Sequence, residues 1–528
     1  MTYKILVSDP LSDDGIQSLL QADDVEVVKK VGLSEEELIA LIPDFDALLV
    51  RSQTQVTVDV IRKATNLKVV GRAGVGVDNI DLTAATEQGV IVINAPDGNT
   101  ISTAEHTMSM LLSLARRIPQ AYHRLKQHVW DRKAFVGVEL SSKTLGIVGL
   151  GRIGSEVAKR AKAFNLSIVA YDPYLTPEKA DKLGIQCGTL DEVLRAADFI
   201  TVHTPLIKET KHIINREAFA KMKDGVHILN CARGGIIDEE ALYEAIIDKK
   251  VAGAGLDVFE EEPATHHKLL ELPEVIATPH LGASTKEAQQ NVAIDVSREV
   301  LHILRDEPFK NAVNLPSVPA HIINKVQPYF SLSEQLGSFL AQLAVGAHEE
   351  IDIKYTGELT DFDVAPLTRN VVKGILSYHL GHQVNYVNAP HLAKQRDLTV
   401  NEQKTSSSKG FTNLITVELR TNQETRKISG TLLNGYGARI VKVDEYSVDV
   451  TPSGHTLYIH HQDKPGVIGR VGTLLAEHGV NIATMQVGRK DIGGDAIMML
   501  TIDKPVLPKV LEHLGELNEI MTVTEIDL

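Results

Sequence analysis

The first 300 residues or so consist of short, unbroken apolar runs separated by longer amphipathic stretches, and this alternation restricts the fold more than any other feature. The runs include Ile5–Val7, Lys68–Val70, Val90–Ile93, Leu145–Val148, Ser167–Ala170, Phe199–Val202, Val226–Leu229 and Val275–Ala277. A strand with one wet face alternates apolar and polar residues. Unbroken apolar runs suit parallel strands covered on both faces. Strand–helix alternation on this scale predicts an α/β chain with doubly wound sheets.

The pattern changes near Asn314–Ala320, where Pro316 and Pro319 fall close together with Pro308 just upstream, and a linker is expected there. Beyond it lie a helical stretch, Tyr329–Ala347, and an alternating segment, Glu350–Tyr355. The polar patch Glu402–Lys409, with three serines, reads as a surface loop. From His455 to Leu528 the order strand, helix, strand, strand, helix, strand describes a compact ferredoxin-like unit.

The 528 residues suffice for three or four domains at roughly 100–200 residues each. The formal net charge of −15, with no run of Lys and Arg, argues against a nucleic-acid or anionic-membrane partner. Small anions remain open, because two or three cations in a cleft suffice to hold one. Two distant cysteines, Cys187 and Cys231, give no disulfide framework. No signal peptide, membrane span or metal-ligand cluster is read, and a cytoplasmic location is expected.

The strongest local signal is the segment Thr144–Gly154, which carries G-x-G-x-x-G as Gly149, Gly151 and Gly154 between a strand and the expected helix Ser155–Phe164. Gly149 permits the tight turn, Gly151 lets a pyrophosphate approach the backbone, and Gly154 lets helix and strand pack closely. The next strand, Leu166–Tyr171, ends in Asp172, where an acid should bind the adenosine ribose hydroxyls. No Lys or Arg follows until Lys179, so nothing awaits a 2′-phosphate, and NAD is the expected cofactor.

Three later segments end strands with polar residues: Leu229–Gly235, Leu256–Pro263 and Ala277–Ala283. Ligands in open α/β sheets bind beyond the carboxyl ends of strands, so these segments can share one crevice. Oxidising a secondary alcohol needs a base for the hydroxyl proton, and His280 suits that task. Glu262 could orient the imidazole and favour its charged form. Arg233 could grip a substrate carboxylate through two hydrogen bonds. Each residue also has a plain structural reading, as a core histidine, a solvated glutamate run or a surface cation. Their joint placement behind a dinucleotide motif favours chemistry.

GLGRIG, CARGG, LDVFEEEP and TPHLGAST, in that order, resemble the D-isomer-specific 2-hydroxy acid dehydrogenases over about residues 1–316. The resemblance implies that Arg233, Glu262 and His280 are the catalytic trio, with His280 the proton donor in reduction. It implies two Rossmann-like domains: a discontinuous substrate domain, 1–98 plus 284–316, and a cofactor domain, 99–283. Further cofactor contacts are implied at Val75, Arg152, Ile153, Thr204, Cys231, Ala232, Asp257, Leu281, Gly282 and Ala283. Val75 departs from relatives that carry Thr there.

Arg51 and Arg72 each follow an apolar strand, which would place them at the inter-domain cleft. With Arg132 they suggest an acid carrying more charge than one carboxylate, such as a phosphorylated one. The alternative is that both arginines only hold loops through salt bridges. The pattern is similar to family members that oxidise 3-phosphoglycerate to 3-phosphohydroxypyruvate at the entry to serine biosynthesis. That likeness implies substrate contacts at Arg51, Ser52, Arg72, Asn99 and Arg132. Trp130–Lys133 resembles a subunit-interface segment of the family, implying a homodimer or homotetramer.

The segment Ile459–Ile468 with Leu475–Asn481 resembles an ACT domain, expected over 453–528, and Pro465-Gly466 would form the turn before its first helix. The resemblance places an L-serine effector at His461, Asp463 and Asn481, although relatives can carry Asn where this chain has Asp463. Residues 317–452 resemble the α+β intervening domain of the long family members, including Tyr355–Glu358 and Val387–Pro390. Two competing readings are a glyoxylate or hydroxypyruvate reductase of the same family and a non-enzymatic NAD-sensing corepressor of the same fold.

Overall fold

The computed structural model describes residues 2–316, 318–406 and 410–528, and four sheets organise them. The first sheet has five parallel strands in the order Val25–Lys29, Tyr3–Val7, Ala47–Val50, Val69–Arg72, Ile91–Asn94. Apart from the edge strand Val25–Lys29, its strands are largely apolar on both sides because both sides are covered. Leu38, Val60, Ile61 and Ala85, from three short helices, bury one face. Ile16 and Leu19, with Val292, Val296 and Val300 of the returning helix Lys286–Leu304, bury the other.

The second sheet has seven parallel strands: Val275–Ala277, Val251–Leu256, Val226–Asn230, Phe199–Val202, Thr144–Val148, Ser167–Tyr171, Gln186–Cys187. The order reverses between Phe199–Val202 and Thr144–Val148. A crevice opens at such a switch point beyond the carboxyl ends of the strands, and the glycine-rich loop lies there. Parallel register puts Asn230, Leu256 and Ala277 side by side at that same edge.

The third sheet runs Thr399–Thr405, His348–Gly357, Asn413–Thr421, Thr425–Leu433, Gly437–Val443, Tyr446–Val450, and only its first pairing is parallel. Helices Phe330–Leu343 and Ala365–Leu380 cross over it where Gly337 faces Gly374. A Cβ at either glycine would lie within 2.2 Å of a carbonyl on the other helix. The fourth sheet, Ile482–Arg489, Asp495–Ile502, His455–Gln462, Ile520–Asp527, is antiparallel, and helices Val467–Glu477 and Pro508–Gly515 cover one face. Tyr458, Ile497, Met499 and Ile526 on its other face are buried in one cluster with Leu336, Phe339 and Ile428. The third and fourth sheets therefore share a core.

Several expectations need correction. The helix after the glycine loop is Arg152–Ala163, not Ser155–Phe164, so Gly154 sits in its first turn. Glu402–Thr405 is strand rather than loop, because it pairs with Ile353–Thr356; Ser407–Lys409 lie outside the described residues. The linker starts later than Asn314. Val313 N–H donates to Val92 O (2.7 Å), and the Asn314 amide accepts from Val92 N–H and donates to Val90 O. Two edge strands, Val25–Lys29 and Gln186–Cys187, were not read: one is half-exposed and the other has two residues. Among the described residues no helix is long and apolar enough to cross a membrane.

Candidate active site

The glycine loop has the shape its sequence calls for. Gly149 sits at φ +95°, and a Cβ there would lie 2.6 Å from His203 O. A Cβ on Gly154 would lie 2.2 Å from Gly149 O, so only hydrogen fits. A Cβ on Gly151 would meet nothing within 4 Å, which leaves an open approach to the backbone at the start of a helix. Asp172 ends the next strand. Its Oδ2 accepts from Leu150 N–H (2.8 Å) and its Oδ1 from Tyr174 N–H (2.8 Å), which fixes the carboxylate beside the loop with lone pairs to spare. Arg152 reaches Asp97 (2.5 Å), and Ile153 packs into the core below. The Thr204 hydroxyl, beside Gly149, is buried without a partner. Open backbone, helix N-terminus, fixed acid and orphaned hydroxyl together suit a dinucleotide.

At the carboxyl edge of the same sheet, His280 Nδ1 lies 2.8 Å from Glu262 Oε2, while Glu262 Oε1 accepts from Phe259 N–H (3.2 Å). His280 occupies the left-handed region at φ +56°, a conformation that a non-glycine residue adopts only when its surroundings hold it there. The restraint comes from Asp257. Its carbonyl accepts His280 N–H (2.9 Å), and its carboxylate accepts Leu281 N–H (2.7 Å), Gly282 N–H (2.8 Å) and Thr278 Oγ1–H (2.5 Å). Burial pushes the Asp257 carboxyl up, but bonds from His106, Thr278 and Leu281 outweigh it and hold the group below its ordinary value. Gly282 O in turn accepts from Thr103 Oγ1 (3.2 Å), and Ala283 follows, half-buried. Burial, then the Asp257 charge, pushes the neighbouring Cys231 thiol up to about 12, so that side chain is inert.

Arg233 crosses the cleft. Its Nη1 donates to Ala232 O (2.7 Å), its Nε is 3.5 Å from Asp78 Oδ2, and its tip lies so close over Gly76 that no Cβ fits there. The loop behind it is clamped by buried Asn230, which accepts from Ala232 N–H and donates to Arg233 O. Arg233 thereby joins Arg72 and Arg51. Burial, then the charges of Arg233 and Arg51, pulls Arg72 down to about 10, although Asp78 and Asp9 counter it. Among the described residues, the side chains of Arg51 and Arg72 form no ion pair. Asn99 Oδ1, at the start of helix Thr100–Arg116, is buried without a partner. Val75 keeps its carbonyl on Asn94 Nδ2 (2.5 Å), and Ser52 is exposed beside Arg51.

Three supporting residues escaped the sequence reading: Asp9, Asn79 and Asn230. Asp9 is buried and accepts from Arg51 N–H (2.5 Å) and from Thr54 Oγ1–H (2.7 Å). A signal existed, since each polar residue stands at the end of an apolar strand or beside a motif already singled out. Arg132 stands apart, exposed and with no hydrogen bond or ion pair among the described residues. The three expected effector residues are each engaged within their own unit. His461, 2% exposed, has its Nδ1 on Gln462 O (2.8 Å). Asp463 bonds Arg489 (2.9 Å), and Asn481 donates to Asp503 (2.8 Å). The Arg489 bond, then Gly493 N–H, lowers the Asp463 carboxyl.

The chain is similar to known proteins along its whole length. Residues 108–282 match the D-isomer specific 2-hydroxyacid dehydrogenase NAD-binding domain, 325–444 the D-3-phosphoglycerate dehydrogenase intervening domain, and 455–519 the ACT domain. D-3-phosphoglycerate dehydrogenase of Bacillus subtilis (strain 168) is 50% identical over 527 residues, covering 100% of both chains. The enzyme of the same name from Methanocaldococcus jannaschii is 48% identical, covering 99% of this chain and 100% of its own. Among solved structures, D-lactate dehydrogenase from Aquifex aeolicus, complexed with NAD and lactic acid, superposes with a TM-score of 0.52 at 30% identity. It covers 58% of this chain and 96% of its own. The TT0316 protein from Thermus thermophilus gives 0.55 at 34%, covering 59% and 99%.

Proposed function

The chain belongs to the D-3-phosphoglycerate dehydrogenases within the D-isomer-specific 2-hydroxyacid dehydrogenase family, and on that premise we propose how its residues divide the work of oxidising 3-phosphoglycerate at C2. The enzyme is an NAD-dependent oxidoreductase. Gly149, Gly151, Arg152, Ile153, Gly154, Asp172 and Thr204 hold the dinucleotide, with Asp257, Cys231, Ala232 and Leu281–Ala283 lining its nicotinamide end beside Val75. Bound NAD supplies the hydride acceptor for the carbon that carries the hydroxyl.

The remaining work falls to side chains. Arg233 grips the substrate carboxylate and polarises the reacting oxygen. His280 Nε2 takes the hydroxyl proton, and Glu262 on Nδ1 holds the ring and stabilises the imidazolium that forms. Arg51 and Arg72, with Ser52 and Asn99, receive the phosphate. The observation that carries this assignment is the crowding of Arg51, Arg72 and Arg233. Three cations that repel one another are held at one cleft, two of them without ion-paired carboxylates among the described residues, an arrangement that an acid bearing both a carboxylate and a phosphate relieves.

The expected result is NADH formation with 3-phosphoglycerate at a kcat/KM at least about 100-fold above glycerate, lactate or 2-hydroxyglutarate, since two charge-assisted bonds supply on the order of 3 kcal/mol. Preference for an unphosphorylated acid would overturn the role of Arg51 and Arg72.

We assign domains 1–98 with 284–316 to substrate, 99–283 to cofactor, 317–452 to the intervening unit and 453–528 to effector reading, in a cytoplasmic homo-oligomer. Trp130, at 79% exposure, with Tyr122 and Val136 offers an apolar face to a second copy. Arg132, also exposed, lies two residues along the same segment from Trp130. L-Serine is expected to slow turnover through His461, Asp463 and Asn481, and Asn481→Ala to relieve it. Equal inhibition of both proteins would sink the effector assignment.

A further inference from the structure

Arg72 owes its position to one neutral side chain. Asn79 is 8% exposed, and all three of its side-chain bonds run to the two arginine loops. Its Oδ1 accepts from Arg72 Nε (2.7 Å), and its Nδ2 donates to Arg51 O (2.8 Å) and Thr54 O (2.6 Å). One amide therefore ties the strand-end residue Arg72 to the turn that presents Arg51. The turn is braced from the other side by Asp9.

The chemistry of the acceptor matters as much as its place. Arg72 is already pulled down to about 10 by burial and by Arg233 and Arg51, so a carboxylate partner would be the usual way to stabilise it. The position instead carries an amide. An amide orients the guanidinium through Nε but adds no negative charge, so the paired Nη groups keep their donors and the site keeps its full cationic field. A carboxylate there would neutralise Arg72 and repel an incoming phosphate. It would also replace two donors facing Arg51 O and Thr54 O with acceptors.

We propose that Asn79 is a positioning residue that sets specificity for a substrate bearing a phosphate ester, by aligning Arg72 with Arg51 without placing a carboxylate directly on either guanidinium. This rests on the assignment of Arg51 and Arg72 to the phosphate. The effect is confined to substrates that carry that group, because His280, Glu262 and the dinucleotide loop share no bond with Asn79.

The test compares the full-length enzyme with Asn79→Asp, Asn79→Ser and Arg72→Met. It measures NADH consumption with 3-phosphohydroxypyruvate and with hydroxypyruvate, together with thermal melting. Asn79→Asp is expected to raise KM for the phosphorylated ketone by about 10- to 100-fold, the loss of one or two charge-assisted bonds. Its kcat should fall by less than about threefold, and KM for hydroxypyruvate and for NADH should move by less than that, since they make no use of those bonds. Should Asn79→Asp not fold, Asn79→Ser, smaller and uncharged, is expected to raise the same KM about tenfold with the same selectivity. If Arg72→Met raises KM for the phosphorylated ketone while neither Asn79 variant does, the proposal fails and the phosphate assignment stands. If Arg72→Met leaves that KM at the wild-type value, the assignment beneath the proposal fails. Equal losses on both ketones would make Asn79 merely structural and also overturn it.

Discussion

His280→Asn is expected to lower kcat about 10²- to 10⁴-fold, the usual worth of a positioned general acid–base, with KM for 3-phosphoglycerate changed by no more than a few-fold. Asparagine is chosen for a backbone reason. His280 stands at φ +56°, and Asn tolerates that region better than most residues, so the chemistry is removed without new strain. Its N–H can still donate to Asp257 O, and the Leu281 and Gly282 N–H groups remain on the Asp257 carboxylate. Cofactor affinity, read by NADH fluorescence titration, should therefore stay within about twofold, because the anchoring bonds run from backbone N–H groups to Asp257 and none involves the imidazole. The imidazole is lost and its support is not. A variant with wild-type kcat would refute proton transfer by His280. A variant that lost NADH binding would mean that the ring, rather than Asp257, organises the segment.

What could be read beforehand follows from which interactions are local. Parallel strands buried on both faces announce themselves by composition, so Phe199–Val202 was located to the residue and Val226–Asn230 to within one. Gly149 and Gly154 were legible because a turn at φ +95° and a carbonyl 2.2 Å from a would-be Cβ admit no other residue. Two of the edge strands leave no such mark. Val25–Lys29 alternates with solvent, and Gln186–Cys187 exists only because Val169–Ala170 pairs with it. The late start of the linker was hidden for the same reason: Asn314 is held by Val90 and Val92, more than 220 residues away in sequence. Arg51, Arg72 and Arg233 could each be nominated from its strand end. Asp9 and Asn79 also stand near a strand end or inside a motif, but their role was not legible, because what distinguishes them is a set of bonds to the distant turn Arg51–Thr54. Residues that touch a ligand tend to sit in motifs. Those that aim them are ordinary polar residues until the fold is known.

Arg233→Ala is expected to cost about as much in kcat/KM, ~10²- to 10⁴-fold, since a bidentate grip on a carboxylate comprises two charge-assisted bonds at roughly 1.5–3 kcal/mol each. KM should rise and kcat should fall together, because the carboxylate is held in the ground state while the polarised oxygen gains charge only as the reaction proceeds. Neighbouring charges sharpen the expectation. Of the two neighbouring arginines, Arg233 repels Arg72 more than Arg51 does, so its removal eases Arg72 back toward its ordinary value rather than weakening the phosphate site. The loss thus belongs to the carboxylate end alone, and Arg233→Ala should lose similar factors on 3-phosphohydroxypyruvate and on hydroxypyruvate, unlike the Asn79 variants. Arg233→Lys keeps the charge but not the fork, and should recover part of KM and little of kcat. The fold should tolerate both changes, since Asn230 clamps the loop through backbone groups that neither change touches. Kinetics within twofold of wild type would remove Arg233 from the site and leave its place over Gly76 and beside Asp78 as a purely structural contact.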